Sequence, residues 1–177
     1  MELKTLFGLP AHPLLVHIPI VLIPLCAIGA VGMFWKPWRD RLGWATVIVL
    51  GVTGIMTQLA IGSGEALEEA SNEREALVKA HTSIAENIRP WLLLFFAFLL
   101  AFLLVVRRRE QAGRTGSLRD PVLAILFALT IVFAGVSVYW VQRIGHTGAK
   151  SVWHEKVDSD GRLRGGEGGE AGESGEG

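Results

Sequence analysis

Five histidines are the residues of this 177-residue chain whose type and placement could do chemistry. Two of them lie in Ala11-His12-Pro13-Leu14-Leu15-Val16-His17-Ile18-Pro19, at the head of a long apolar run and bracketed by prolines. The other three, His81, His146 and His154, fall near the ends of later apolar runs. A polar ring in a hydrocarbon segment is costly without a partner, so an imidazole there marks a functional site by default. Three chemistries are open to it. It can hydrogen-bond a backbone carbonyl freed by Pro19 or Pro24, in a structural or anchor subunit with no cofactor. It can hold a b-type haem together with a histidine from another helix. Or several imidazoles can bind copper or zinc.

Other chemistries find no support. Cys26 is the single cysteine, which excludes an intramolecular disulfide and a cysteine-based zinc cage. There is no Cys-x-x-Cys-His for covalent c-type haem. The serines and aspartates lie in loops without the context of a hydrolytic triad. Gly145-His146-Thr147-Gly148-Ala149-Lys150 follows no strand and is no phosphate loop; its glycines are expected to let the chain fold back over the bundle. The formal net charge is zero, so no global field attracts nucleic acid. Away from their ends the apolar spans hold no Asp, Glu, Lys or Arg, and central charges, which cost roughly 2.5–3.5 kcal/mol each, are kept where transport needs them. That argues against a proton pump or an ion-coupled transporter.

The elements that must position the histidines are membrane spans. Half of the residues are hydrophobic and come in blocks of about twenty, the length that crosses a bilayer core. The reading is an all-α integral membrane protein: four antiparallel helices over 1–157, with spans at about 13–35, 42–61, 86–106 and 121–143. Prolines interrupt the first apolar run and no small-residue cleavage site follows it, so the expectation is a retained helix rather than a signal peptide. Pro19 and Pro24 are expected to kink or loosen that helix. The second span, rich in Gly43, Gly51, Gly54 and Ala60, is expected to end at Gly62-Ser63-Gly64. Residues 65–89 are hydrophilic with apolar residues at helical spacing, an amphipathic helix or two. The Leu/Phe-rich third span is expected to face lipid on most sides. Asp120-Pro121 reads as an N-cap followed by proline, opening the fourth span, with Tyr139 and Trp140 as its interfacial anchors. Residues 158–177, an acidic Gly-rich tail, cannot bury a core and are expected to be disordered.

Basic residues sort into two links. Lys36, Arg39 and Arg41 follow the first span, and Arg107, Arg108, Arg109, Arg114 and Arg119 follow the third. The positive-inside rule puts both links in the cytoplasm, and both termini outside. All five histidines then map to the outer half. His17 lies about 6 Å inward of Pro13, and His81 precedes Pro90 by about 13 Å of helix. They share a depth only if the third helix enters lipid near Ile84; His146, just past Tyr139-Trp140, is the alternative partner. With no histidine on the cytoplasmic half, a two-haem wire across the membrane is not expected.

His12-Pro13-Leu14-Leu15-Val16-His17-Ile18-Pro19 resembles the HPxxVHxP opening of a bacterial family of four-span membrane proteins catalogued as domain of unknown function 2231. A small-residue second span, a lone histidine before the third span (His81) and a Gly-His segment after the fourth are similar too, although Ala149 replaces a usual glycine. The resemblance covers about residues 8 to 155. Relatives are sometimes joined to Rieske iron–sulfur or c-type cytochrome domains, which implies a redox setting. The leading expectation is therefore a b-type cytochrome-like subunit rather than an enzyme, with His17 and His81 as axial ligands and His12 and His146 as supporting or alternative ones. It would pass electrons on the outer side between quinol or a redox partner protein and a soluble carrier, as a single chain or a homo-oligomer. The competing expectations are an outer-face copper or zinc site and a cofactor-free structural subunit.

Overall fold

A computed structural model describes residues 5–6, 9–70 and 83–153. His81, His154, the centre of the 65–89 segment and the acidic tail lie outside the described residues. Four helices follow one another: α1 (Ala11–Gly32), α2 (Lys36–Ala70), α3 (Ile88–Gln111) and α4 (Pro121–Trp153). A short antiparallel pairing of Thr5–Leu6 with Leu9–Pro10 precedes α1, and one helical turn at 83–86 precedes α3. The architecture is the expected all-α one. Each helix includes a segment long and apolar enough to cross a bilayer: Leu14–Gly32, Lys36–Glu65, Ser83–Gln111 (which takes in the preceding turn) and Pro121–Gly148.

The helices form a ring. α1 packs against α2 and α4, α3 packs against α4, and the seam between α2 and α3 is the least closely packed. One end carries the α1–α2 turn and the arginine-rich α3–α4 loop; the other carries His12, His17 and His146. We call these the basic end and the histidine end. At the basic end the α1–α2 turn is tight, because a Cβ on Gly32 would stand 2.6 Å from the Trp38 ring. Phe34, Trp35 and Trp38 are exposed there, as expected of interfacial aromatics. Asp120 opens α4 as the sequence suggests: its Oδ1 accepts from the backbone N–H of Val122 (3.0 Å) and Leu123 (3.3 Å). Its other oxygen accepts from Arg109, tying the end of α3 to the start of α4.

The inward faces follow helical spacing. α1 contributes Leu15, Ile23, Cys26, Ala30 and Met33, at intervals of three, four or twice four residues. Pro13 sits in the first turn, where a missing N–H has no intrahelical acceptor to lose, and α1 runs on through Pro19 and Pro24. The buried hydroxyls of α2 and α4 are satisfied locally. Thr46, Thr53, Thr57, Thr130 and Ser137 each donate to the carbonyl four residues back, and Ser63 to the carbonyl three back. Apart from Ser63, which also meets His12 of α1, these side chains act as close-packing residues inside the bundle, not as links between helices.

Three expectations are corrected. α2 does not stop at Gly62-Ser63-Gly64 but continues to Ala70. Gly64 is used for close approach by the His12 ring of α1, and that contact offsets the roughly 1 kcal/mol that a glycine costs inside a helix; Gly62 has open space around it. α4 likewise passes through Gly145 and Gly148 to Trp153, so the chain does not fold back there. At 35 and 33 residues these helices are about 50 Å long, well beyond a bilayer core of about 30 Å. Both overhang at the histidine end. Finally, α3 does not face lipid on most sides. Ile88, Leu92, Phe95, Leu99, Phe102, Leu103 and Val106 make a buried stripe, and Phe95 and Phe102 are the largest fully buried side chains of the core. A uniformly apolar helix carries no polar face to set its rotation, so its sequence could not reveal which side is inward.

Candidate functional site

At the histidine end, His12 continues the inward stripe of α1 one turn beyond Leu15. Its Nδ1 lies 2.9 Å from the Ala60 carbonyl oxygen and 3.4 Å from Ser63 Oγ, both on α2. The carbonyl can only accept, so Nδ1 carries the proton and donates it. In a neutral ring, that tautomer leaves the lone pair on Nε2. Gly64 makes the approach possible: a Cβ there would stand 3.0 Å from His12 Cε1 and 3.1 Å from Nδ1. Ala60, Ser63 and Gly64 form a shallow seat on α2 for the ring. Sequence reasoning missed this seat, although the run Ala60-Ile61-Gly62-Ser63-Gly64 carried its signal as a patch of small residues overlapping the end of a span.

His17 is placed differently. Five residues of helix turn it about 140° from His12. It is exposed, on the outward ridge of α1 that Leu14, Val21, Leu25 and Ile28 continue. His146 is exposed too and ends an outward ridge of α4, following Ile125, Val132 and Tyr139 at seven-residue intervals. Phe34 of the α1–α2 turn meets Phe127 of α4, with centroids 6.4 Å apart. Measured along the helices from that contact, His17 and His146 stand at about 25 and 28 Å, close to one level. The aromatic belt lies short of that level, at about 18–20 Å on the same measure: Tyr139 and Trp140 meet edge to face, and Arg143 lies over the Trp140 ring and donates to the Tyr139 hydroxyl.

The structure thus brings His12, His17 and His146 to one end of the bundle, as the topology predicted, but on three different faces. Among the described residues no group of three or more His, Cys, Asp or Glu side chains could hold a metal ion. On the α2–α3 side of this end, Arg89 donates to Gln58 (3.1 Å) and pairs with Glu65 (3.6 Å) and Glu86 (3.8 Å). Those contacts set the start of α3 level with the seat of His12.

The comparisons with known proteins agree with this architecture. The family model described as predicted membrane protein (DUF2231) matches residues 8–161. The chain belongs to this family. The match runs from just before α1 past the end of α4, so the DUF2231 unit takes in the whole four-span bundle. No curated protein and no solved structure matches this DUF2231 chain.

Proposed function

We propose that this DUF2231 protein is a membrane-embedded redox subunit that holds a b-type haem at its histidine end, with His12 as one axial ligand. The observation that carries the reading is the Nδ1–H of His12 donated to the Ala60 carbonyl. Metal-ligating histidines characteristically hold their other N–H on a backbone carbonyl or carboxylate, which fixes the ring and raises the basicity of the ligating nitrogen. The second ligand comes from a separate segment, as bis-imidazole ligation in a helix bundle requires. His81 precedes Arg89 by eight residues of chain, an ample tether to the level of His12. His17 and His146, on outward faces at the same end, are the alternative ligands and suit a site completed by a second copy. The basic end lies in the cytoplasm by the positive-inside rule, so the haem lies at the outer side. A bis-imidazole haem supplies a one-electron couple there, suited to exchange between a quinol and a soluble carrier.

The donor set also suits copper or zinc, and the His12 seat by itself suits a cofactor-free subunit in which the ring only fastens α1 to α2. Iron, copper and zinc analysis of purified wild type, His12→Asn and His12→Ala separates the three. Asn can still donate to Ala60 but cannot ligate. Stoichiometric iron in the wild type that is lost in both variants supports the haem reading. Copper or zinc in its place supports the surface metal site. Metal-free wild type, with His12→Ala destabilised and His12→Asn less so, leaves the structural role.

A further inference from the structure

The basic end holds a second candidate site, unrelated to the histidines. Between the α1–α2 turn and the α3–α4 loop is a cavity of about 830 Å³. Lys36, Arg39, Glu110, Arg114, Thr115 and Arg119 line it. Lys36 is matched by Asp40 and by Glu110, 3.4 Å away. Arg39, Arg114 and Arg119 make no ion pair among the described residues. Arg39 is the unusual one. It is only 5 % exposed, and its Nε is a buried polar atom with no hydrogen-bond partner. Its guanidinium lies 5.9 Å from the centroid of the Phe102 ring, which offers it a π face but no acceptor. An arginine cannot shed its proton, so a buried Nε–H without an acceptor is costly until an anion supplies one. The residue also stands in the first turn of α2, where the helix dipole favours negative charge.

We propose that this cavity binds a phosphate group, brought there by an anionic phospholipid. Three arginines lining one cavity, from the first turn of α2 and the α3–α4 loop, match the several acceptor oxygens of a phosphate better than the two of a carboxylate. The lipid source follows from the setting. The cavity opens at the end of the spans beside Phe34 and Trp35, 70 % and 68 % exposed, which suit the glycerol and upper acyl region of the bilayer. Basic pockets between spans at such an interface bind acidic headgroups.

The test uses the full-length protein in a neutral maltoside detergent, following thermal unfolding as phosphatidylglycerol, phosphatidylcholine or inorganic phosphate is added. Phosphatidylglycerol raises the midpoint by several degrees, phosphatidylcholine does not, and Arg39→Gln weakens the apparent phosphatidylglycerol affinity about tenfold, the loss of one charge-assisted pair. Arg143→Gln, at the opposite end, keeps the wild-type response. Should Arg39→Gln fail to fold, the exposed pair Arg114→Gln/Arg119→Gln carries the same expectation. A shift reproduced by inorganic phosphate alone overturns the lipid source and leaves a free-phosphate site. Equal responses to the two lipids, or an undiminished response in the arginine variants, overturn the site itself.

Discussion

The ring of His12 rests on α2 with Nδ1 2.9 Å from the carbonyl oxygen of Ala60, over a glycine, Gly64, that has no side chain to displace it. This contact joins the first turn of α1 to the overhanging part of α2. It is a hydrogen bond at a helix–helix seam, worth about 0.6–2 kcal/mol in membranes. His12→Ala is expected to lower stability by that amount in a reversible detergent unfolding titration. A variant as stable as wild type would show that the ring is not seated.

Glycine substitutions probe the same seat and a second close approach. Gly54 has open space around it, so Gly54→Ala gains helix propensity and is expected to be neutral or stabilising by about 0.5–1 kcal/mol. Gly29→Ala would put its Cβ 2.9 Å from Thr46 Oγ1, whose hydroxyl is held by the Leu42 carbonyl. It is expected to be destabilising by about 1–3 kcal/mol, the range for overpacking. Gly64→Val is expected to dislodge His12 and to match His12→Ala in stability. Thermal midpoints of the three variants, measured side by side, check the order.

Much of this was legible in the sequence, and the parts that were not share a cause. Four blocks of apolar residues announced four spans, and Asp120-Pro121 announced the start of α4. Helix ends were misread at glycines: Gly62, Gly64, Gly145 and Gly148 look like terminators yet lie inside helices, and at Gly64 only the partner His12 reveals the use. The rotation of α3 was hidden because every position from Trp91 to Leu104 is apolar. His12 and His17 both stood out, but a spacing of five on a helix sends them to different faces. Arg39 looked like one more positive-inside charge, and burial alone sets it apart.

The corrected orientation of α3 makes a direct prediction. Phe95→Ala and Phe102→Ala are each expected to cost about 3–5 kcal/mol, the range for emptying a packed aromatic site. Leu93→Ala, 67 % exposed on the outward side, is expected to change stability by less than about 0.5 kcal/mol. Comparable losses at Leu93 and Phe95 would contradict the packing described.

Asp120 gives the basic end a dependence on acid. The hydrogen bond from Arg109, followed by those from the Leu123 and Val122 amides, holds its carboxyl below the ordinary aspartate range. A carboxyl lowered on folding contributes stability that is present above its unfolded value of about 4 and is lost as pH falls through the lower folded value. Asp120→Asn keeps a capping side chain but has no charge to lose, so the loss of stability below about pH 4 is expected to be shallower than in wild type. Unfolding titrations of both proteins between pH 3 and 6, a range set around that reference value, check this. Parallel curves would show that the carboxylate carries none of the acid sensitivity.

The central claim is the haem, and the most direct measurement is an absorption spectrum. Protein extracted in mild detergent from cells supplied with haem precursor should be recorded oxidised and after dithionite. A sharp, red-shifted Soret band with resolved α and β bands on reduction, absent from His12→Asn, is the result this account predicts. A featureless spectrum from folded wild type, or an unchanged haem spectrum in His12→Asn, would contradict it.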